Sequence, residues 1–591
     1  MIRAAAVLGP AFLLLITLAP AQITRRDSPQ TEKSAVVSIP MRDGVRLAAD
    51  LFLPGAGRWP TVLVMTPYGR TGSATRTYRY FLSRGYAVVI EDMRGRYGSR
   101  GVFSTVTQSG PDGNDTIDWI AGQAWSNGRV AMAGSSYLGL VQWWTALEDN
   151  PHLLAISPMN SGNDEYIDRY YSAGGALQLG HRLLWLAENE NSPSRPLSRP
   201  DAYIRNLPLR TSDLLATGTI VPYWRSALDH PSYDDYWKQR SVRRKLDQLN
   251  VPVLSLGGWF DAYAESDLDA FSRLALKRKS AETWIGPWGH NPGLKFPTLD
   301  FGPQANIGIR GRQADWFDKW LKRNVGASIH EQPLLHIFIM GPNVWREEHE
   351  WPLARTRYTP LYLTSAGTAN SSAGTGFLRW QPVRAAPHDS FFYDPKNPVP
   401  TVGGAICCEP KIFPPGPLNQ AEVERRSDVL VYTSAPLNEE IEVTGPVRTI
   451  LYISTSANDT DFTAKLVDVQ PSGRPLLVTD GMQRLRYRLS LDRPVFVKRN
   501  QVYQVSVDCG VTSYVFSAGH RIRLEVSSSN FPRFDRSLNS TGSNADQTKP
   551  TKAKQTVFHE KGYPSAVILP VIPRANAAQA QNLSRAPRRS R

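Results

Sequence analysis

A chain of 591 residues is too long for one compact core, so roughly two to four domains are expected. Charged residues make up 20% and hydrophobic ones 41%, an ordinary globular balance. The formal net charge of +15 lies partly in Arg25 and Arg26 near the start and in Arg585, Arg588, Arg589 and Arg591 at the end. The remaining charges are scattered, with no basic stripe interleaved by aromatics, so nucleic acid is excluded as a partner.

Residues 1–21 read as a signal peptide. Met1-Ile2-Arg3 is a basic start, a short apolar run reaches Leu18, and Ala19-Pro20-Ala21 is an A-x-A site with cleavage before Gln22. The run is short for a membrane span and Gly9-Pro10 interrupts it, so a secreted or periplasmic protein without a membrane span is expected. Val36 to Leu53 alternates like a hairpin around Arg42-Asp43-Gly44. Thr61–Met65 and Tyr86–Ile90 are continuous apolar runs of the buried-strand type, with a helical stretch from Tyr78 to Arg84 between them. Asp112 to Ala124 reads as a helix, Arg129–Ala133 as a strand and Leu154–Ser157 as another. This alternation argues for an α/β class with a parallel sheet.

The pattern breaks after residue 160. Residues 161–246, rich in Tyr, Trp, Leu, Arg and Pro, are expected to form a helical cap. The sheet resumes with Pro252–Leu256 and Thr283–Ile285, and helices are expected at Leu268–Leu276 and Arg312–Leu321. From about residue 353, short alternating segments recur between turns, at Thr359–Leu363, Val429–Thr433, Arg448–Ser454, Phe462–Val469, Gln504–Val507 and Ile522–Val526. That is the signature of a β-sandwich. The expected division is a hydrolase-type α/β domain over 34–160 and 247–352, a cap over 161–246, a jelly-roll sandwich over 353–571, and a disordered basic tail over 572–591.

The chain is organised around Gly134-Ser135-Ser136-Tyr137-Leu138-Gly139, between a strand and the helical run from Leu140 to Leu147. Such a turn lifts a serine hydroxyl above the sheet and points the following N–H groups at a developing oxyanion. Ser136 is the candidate nucleophile, although the second glycine stands one place later than in G-x-S-x-G. Serine needs a base, and histidine titrates near neutrality and can take and return the proton. Asp261, after Gly257-Gly258-Trp259-Phe260, and His290, after Gly286-Pro287-Trp288-Gly289, each follow a strand in the order expected of an α/β hydrolase. The plainer readings are a helix N-cap for Asp261 and a histidine without a task. Tyr68, ending a buried strand, is a candidate oxyanion donor beside the Tyr137 N–H. No Cys/His cluster has zinc spacing, so neither a metal nor another cofactor is expected. Export would permit a disulfide in which Cys407 or Cys408 pairs with Cys509, and the sequence leaves that pairing open.

These motifs are similar to those of the cocaine esterase and X-prolyl dipeptidyl peptidase family of serine hydrolases. Thr66-Pro67-Tyr68, Asp92-x-Arg94-Gly95 with Ser99-x-Gly101, Pro398-Val399-Pro400-Thr401-x-Gly403-Gly404 and Ser529-Asn530-Phe531-Pro532-Arg533-Phe534-Asp535 extend the likeness over roughly residues 34–570. In that family G-x-S-Y-x-G is the normal elbow. The resemblance implies an α/β-hydrolase domain, an inserted cap and a C-terminal jelly roll. It also implies Ser136, Asp261 and His290 as triad, and the Tyr68 hydroxyl and Tyr137 N–H as oxyanion hole. The expected activity is hydrolysis of acyl ester or amide bonds in a small molecule or short peptide, with X-Pro dipeptidyl-peptidase activity as the alternative. A non-catalytic surface-binding protein is the distant one, and self-association into a homo-oligomer is left open. Amino-ester members of the family carry an acidic pair after the triad aspartate, where this chain has Ala262, Tyr263 and Ala264. Asp164, Glu165 and Asp168 could supply negative charge instead, but read better as a solvated acidic helix start. Tyr170, Tyr171 and Trp185 could line an acyl pocket, and read better as cap core.

Overall fold

A computed structural model describes residues 35–574, apart from 105, 191–199, 294 and 323–331. The leader expected at 1–21 and nearly all of the tail expected at 572–591 lie outside the described residues.

Ten strands form one sheet: β1 (Ala35–Pro40), β2 (Arg46–Phe52), β3 (Trp59–Thr66), β4 (Ala87–Asp92), β5 (Ser126–Ser135), β6 (Leu153–Met159), β7 (Val253–Phe260), β8 (Ala281–Gly289), β9 (Leu334–Ile339) and β10 (Val344–Glu348). Their spatial order is β1-β2-β4-β3-β5-β6-β7-β8-β9-β10. Pairing is parallel from β4 through β9 and antiparallel at both edges. Every residue of β4 and β7 is buried, as expected of central strands covered on both faces. The helices Ser109–Ala121 and Tyr137–Ala146 pack on each other and on β5, and Ile309–Leu321 packs on β5 and β6. Strand order and connectivity are those of an α/β hydrolase, with the loops after β5, β7 and β8 at one end of the sheet.

Between β6 and β7 the chain forms short helical segments, including Glu165–Tyr170, Leu179–Asn189, Pro222–Asp229 and Arg243–Gln248. Aromatic stacking organises this region: Tyr166 meets Tyr171, Tyr233 and Trp237 at ring-centre distances of 4.7, 5.2 and 5.6 Å.

The C-terminal half is a largely antiparallel β-sandwich built on the long strand Ile441–Thr455. It pairs with Tyr503–Phe516 on one side and with Ala553–Phe558 and Ala566–Val571 on the other. The register shifts between Pro446 and Arg448, where a bulge lets the strand serve both neighbours. The sandwich grips the helical region through a buried ion cluster: Arg484 bonds Asp461 at 2.9 Å and Asp535 at 2.9 Å. Asp535 in turn accepts from the Leu177 backbone N–H at 2.8 Å, and its own N–H donates to the Leu177 carbonyl at 2.8 Å. The approach requires Gly174, where an added Cβ would stand 1.7 Å from the Met482 carbonyl oxygen. The aspartate closing the Ser529–Asp535 motif therefore acts as a clamp.

The structure closes the pairing that the sequence left open, and in neither of the two ways considered there. Cys407 and Cys408 are disulfide-bonded to each other, with Cα atoms 3.7 Å apart, and Cys509 is free. Cys509 lies within the strand Tyr503–Phe516, fully buried, with its sulfur 3.4 Å from the Thr449 hydroxyl of the adjacent strand. Burial pushes its thiol up to about 12.

Candidate active site

Ser136 stands between the last residue of β5 and the first turn of the helix Tyr137–Ala146, with φ 60° and ψ −124°. A non-glycine residue held there is strained by about 1–3 kcal/mol, and the surroundings enforce it. The Ser136 N–H donates to the Met159 carbonyl at 2.8 Å, and the Ser136 carbonyl accepts from Gly139 and Leu140 at 2.9 Å each. A Cβ on Gly134 would come within 2.4 Å of the Leu138 Cβ. One on Gly139 would come within 2.6 Å of the Ser161 Cβ and 3.1 Å of the Met159 backbone. The second glycine belongs at 139 because that is where the helix crosses the end of β6.

Asp261 follows β7 and is 1% exposed; His290 follows β8. His290 Nδ1 lies 3.0 Å from Asp261 Oδ1. The N-cap of the following helix, Ala264–Leu276, is Tyr263, so the Asp261 side chain is not spent on capping. Asn160, at the end of β6, donates through Nδ2 to the His290 carbonyl at 2.8 Å, and its N–H donates to the Leu256 carbonyl at 2.8 Å. The residues after β6 thus brace the serine turn on one side and the histidine turn on the other.

Tyr68 follows β3. Its ring edge is partly exposed while its hydroxyl turns inward and accepts from Trp185 Nε1 at 3.1 Å. Burial of the hydroxyl raises its pKa, opposed by the Trp185 hydrogen bond, the charges of Arg169 and Arg182, and the Ser136 hydroxyl. The Tyr137 ring stacks on Trp185 at 6.1 Å and 17°. The Tyr137 N–H is the first of the helix, one of the four that lack an intrahelical acceptor. The five residues singled out in the sequence therefore gather at one end of the sheet, under the helix Leu179–Asn189.

Three acidic residues correct the solvated reading. Asp164, Glu165 and Asp168 are 1%, 8% and 5% exposed. Asp164 accepts from the Tyr166 and Ile167 N–H groups and from Tyr233 and Ser241 hydroxyls. Asp168 accepts from the Asn163 and Asp164 N–H groups and from Ser266, and burial raises its pKa to about 6. These carboxylates hold the turn entering the helical region. Glu265 is also pushed up, to about 8, by burial first and the charge of Asp508 next.

Sequence reasoning missed His181, Arg169 and Arg182. All three are buried, and they flank Tyr68, Tyr137 and Tyr263. His181 is held well below its ordinary value by burial and then by the charges of Arg182, Arg169 and His290. It also lies near the sulfurs of Cys407 and Cys408, a gathering of possible metal ligands that no linear spacing could reveal, although here the sulfurs bond each other. The only sequence signal was Arg in an otherwise aromatic stretch. The loop bearing the cysteines reaches the site from the sandwich: the Ile406 N–H donates to the Phe260 carbonyl at 3.3 Å, beside Asp261.

A strained strand–turn–helix serine and an imidazole–carboxylate pair at neighbouring strand ends place the protein among the serine hydrolases of α/β-hydrolase fold, here joined to a β-sandwich. Comparison with known proteins narrows the class. Residues 43–292 match the family model of the X-Pro dipeptidyl-peptidase (S15 family), and residues 327–568 match that of the X-Pro dipeptidyl-peptidase C-terminal non-catalytic domain. The cocaine esterase of Rhodococcus sp. is 37% identical over 91% of this chain and 98% of its own. A putative serine esterase of Mycobacterium bovis is 25% identical over 84% and 90%. Among solved structures, an aminopeptidase from a marine sediment Thaumarchaeota archaeon superposes with a TM-score of 0.80 at 26% identity, covering 94% of this chain and 99% of its own. An α-amino acid ester hydrolase does so with 0.76 at 26% identity, covering 94% and 100%. The chain belongs to the cocaine esterase and X-Pro dipeptidyl-peptidase family, and it is a serine hydrolase acting on ester or amide bonds. Among the described residues no helix is long and apolar enough to cross a membrane.

Proposed function

We propose that the protein is an exported acyl hydrolase in which Ser136 is the nucleophile, His290 the general base and acid, and Asp261 the group that orients the imidazole. The Ser136 oxygen bonds the substrate carbonyl carbon while its proton passes to His290 Nε2. The carbonyl oxygen gathers the negative charge between the Tyr68 hydroxyl and the Tyr137 N–H. Collapse of this intermediate breaks the bond to the leaving alcohol or amine, which takes the proton from His290. Water, deprotonated by His290, then releases the acid and frees Ser136. Asp261, accepting from Nδ1, keeps Nε2 as the basic nitrogen and stabilises the imidazolium. The 3.0 Å Asp261–His290 contact, with the strained Ser136 at the same end of the sheet, carries this reading.

The domain division stated from the sequence, the leader over residues 1–21 and any homo-oligomer belong to the same proposal. Esters and amides of small acids are the favoured substrates. Release of X-Pro dipeptides is the second reading, favoured by the family model matched over residues 43–292. A peptidase that captures a free ammonium needs an uncommitted carboxylate; of the three cap acids, Asp164 and Asp168 are spent on backbone and hydroxyl donors and Glu165 faces Arg169 at 3.4 Å. A panel of aryl benzoates, amino-acid methyl esters, phenylacetyl and glutaryl amides and Gly-Pro anilide tests it. The esterase reading expects the aryl ester to lead in kcat/KM, and a leading Gly-Pro anilide would replace it with the peptidase.

A further inference from the structure

Behind the Tyr137–Trp185 stack lies a cavity of about 30 Å³, walled by those two rings with Glu165, Arg169, Arg182 and Arg240. Its charges do not balance. Arg169 and Arg182 are 6% and 4% exposed. Among the described residues Arg169 meets one carboxylate, Glu165 at 3.4 Å. Arg182 meets none: its Nη2 lies 2.7 Å from His181 Nε2, and its guanidinium lies 5.4 and 5.8 Å from the ring centres of Tyr170 and Trp185. Arg240 lies 3.7 Å over the Tyr236 ring and donates to a backbone carbonyl. The Nε atoms of Arg169, Arg182 and Arg240 are all buried without a protein acceptor. A buried guanidinium is costly unless it is both paired and hydrogen-bonded, and one glutamate cannot pair with two fully buried arginines.

We propose that this cavity is a binding site for a single negative charge, a halide ion or the carboxylate end of a substrate, seated against Arg169 and Arg182. The volume suits a group about the size of one water. An outer cavity of about 310 Å³ shares Phe103, Tyr223, Tyr236 and Arg240 with it and reaches the exposed side chains of Val102 and Ile220, so the site adjoins solvent-facing space. The site bears on catalysis through its walls. The Arg169 guanidinium lies 4.7 Å over the Tyr137 ring, that ring stacks on Trp185, and Trp185 donates to the Tyr68 hydroxyl. An anion that fixes the two arginines fixes the backing of both oxyanion donors. This effect rests on the oxyanion-hole reading above; the binding itself does not.

The test uses the full-length enzyme in a halide-free gluconate buffer at constant ionic strength. Chloride and bromide are titrated while a neutral aryl ester is hydrolysed, and crystals soaked in bromide are examined for anomalous scattering. In parallel, an aryl half-ester of a short dicarboxylic acid is compared with its neutral isostere. A bromide peak in the cavity, with a saturable several-fold rise in kcat that Arg182→Met loses, identifies a free halide as the occupant. A preference of about tenfold or more for the half-ester that Arg182→Met loses, with no halide effect, identifies the substrate carboxylate. Arg182→Lys, which keeps the charge, should retain part of either effect. If Arg182→Met does not fold, the wild-type soak and titration decide alone. Absence of both effects in an active enzyme overturns the site and leaves the catalytic reading standing. Bromide bound in an enzyme that turns over no ester does the reverse.

Discussion

Replacing Tyr68 by Phe removes a single oxygen and separates two roles of that oxygen. If the hydroxyl donates to the oxyanion, its loss should lower kcat about 10²- to 10³-fold, or roughly 3–4 kcal/mol, with KM nearly unchanged, because the bond forms in the transition state. The same oxygen accepts from Trp185 Nε1 at 3.1 Å. Trp185 is 6% exposed, so its indole N–H would be left unpaired and the fold would lose about 1–3 kcal/mol. Steady-state kinetics on an aryl ester and thermal unfolding read the two effects separately. Trp185→Phe is the control: it deletes the indole N–H, keeps the Tyr68 hydroxyl, and should cost less than about tenfold in kcat, since no donor to the oxyanion is lost. Burial raises the Tyr68 pKa, and an acid with a raised pKa keeps its proton to higher pH. The donor form therefore persists beyond the ordinary tyrosine value near 10, and no alkaline loss of kcat from this group should begin below it. A Tyr68→Phe enzyme within threefold of wild-type kcat, or one whose entire defect lies in KM, would refute the assignment.

Asp261→Asn should lower kcat by about 10⁴ with intact folding, because an amide can donate to Nδ1 and trap the wrong tautomer; circular dichroism and kinetics measured together check this. Gly139→Ala drives a Cβ to 2.6 Å from the Ser161 Cβ and 3.1 Å from backbone that cannot yield, so both melting temperature and kcat should fall, the latter by about tenfold or more. Glu91 is fully buried, accepts from the Thr116 hydroxyl at 2.6 Å, and is raised to about 8, chiefly by burial. Its contribution to stability is fully present below its unfolded value near 4.5 and is lost as pH rises through 8. Glu91→Gln should therefore leave the melting temperature unchanged near pH 4.5 and raise it at pH 9, by an amount corresponding to about 3–5 kcal/mol. A thiol reagent should titrate no cysteine in the folded oxidised protein, one after denaturation, and three after reduction.

The central sheet was legible because its strands contain continuous apolar runs, as β3 does over Thr61–Met65, β4 over Ala87–Ile90 and β7 over Val253–Leu256. Val344–Glu348 was not legible because it is a short edge strand that mixes charge with apolar residues, whereas Leu334–Ile339, its neighbour inside the sheet, is an apolar run broken only by His336 and has the same pattern as the strands that were legible. In the sandwich, Pro475–Arg484 and Ala553–Phe558 escaped notice for a similar reason: their buried positions include Thr479, Asp480, Gln483 and Gln555, which carry no hydrophobic signal. The reactive loops were legible because each ends a strand with glycine, a local feature. The arginines behind Tyr137, the buried carboxylates Asp164 and Asp168, and the meeting of His181 with Cys407 and Cys408 were not. Their meaning depends on burial and on partners that the fold brings in, such as Tyr233 and Ser241 for Asp164, Ser266 for Asp168 and the cysteines for His181.

Hydrolysis by this chain depends most on Ser136 being the activated nucleophile. The direct measurement is labelling of the folded protein with a fluorophosphonate, followed by peptide mass spectrometry. Modification should be stoichiometric at Ser136, lost on denaturation and absent in Ser136→Ala, and strongly slowed in His290→Ala. Label at another residue, at the adjacent Ser135 above all, or undiminished labelling without His290, would contradict that role for Ser136.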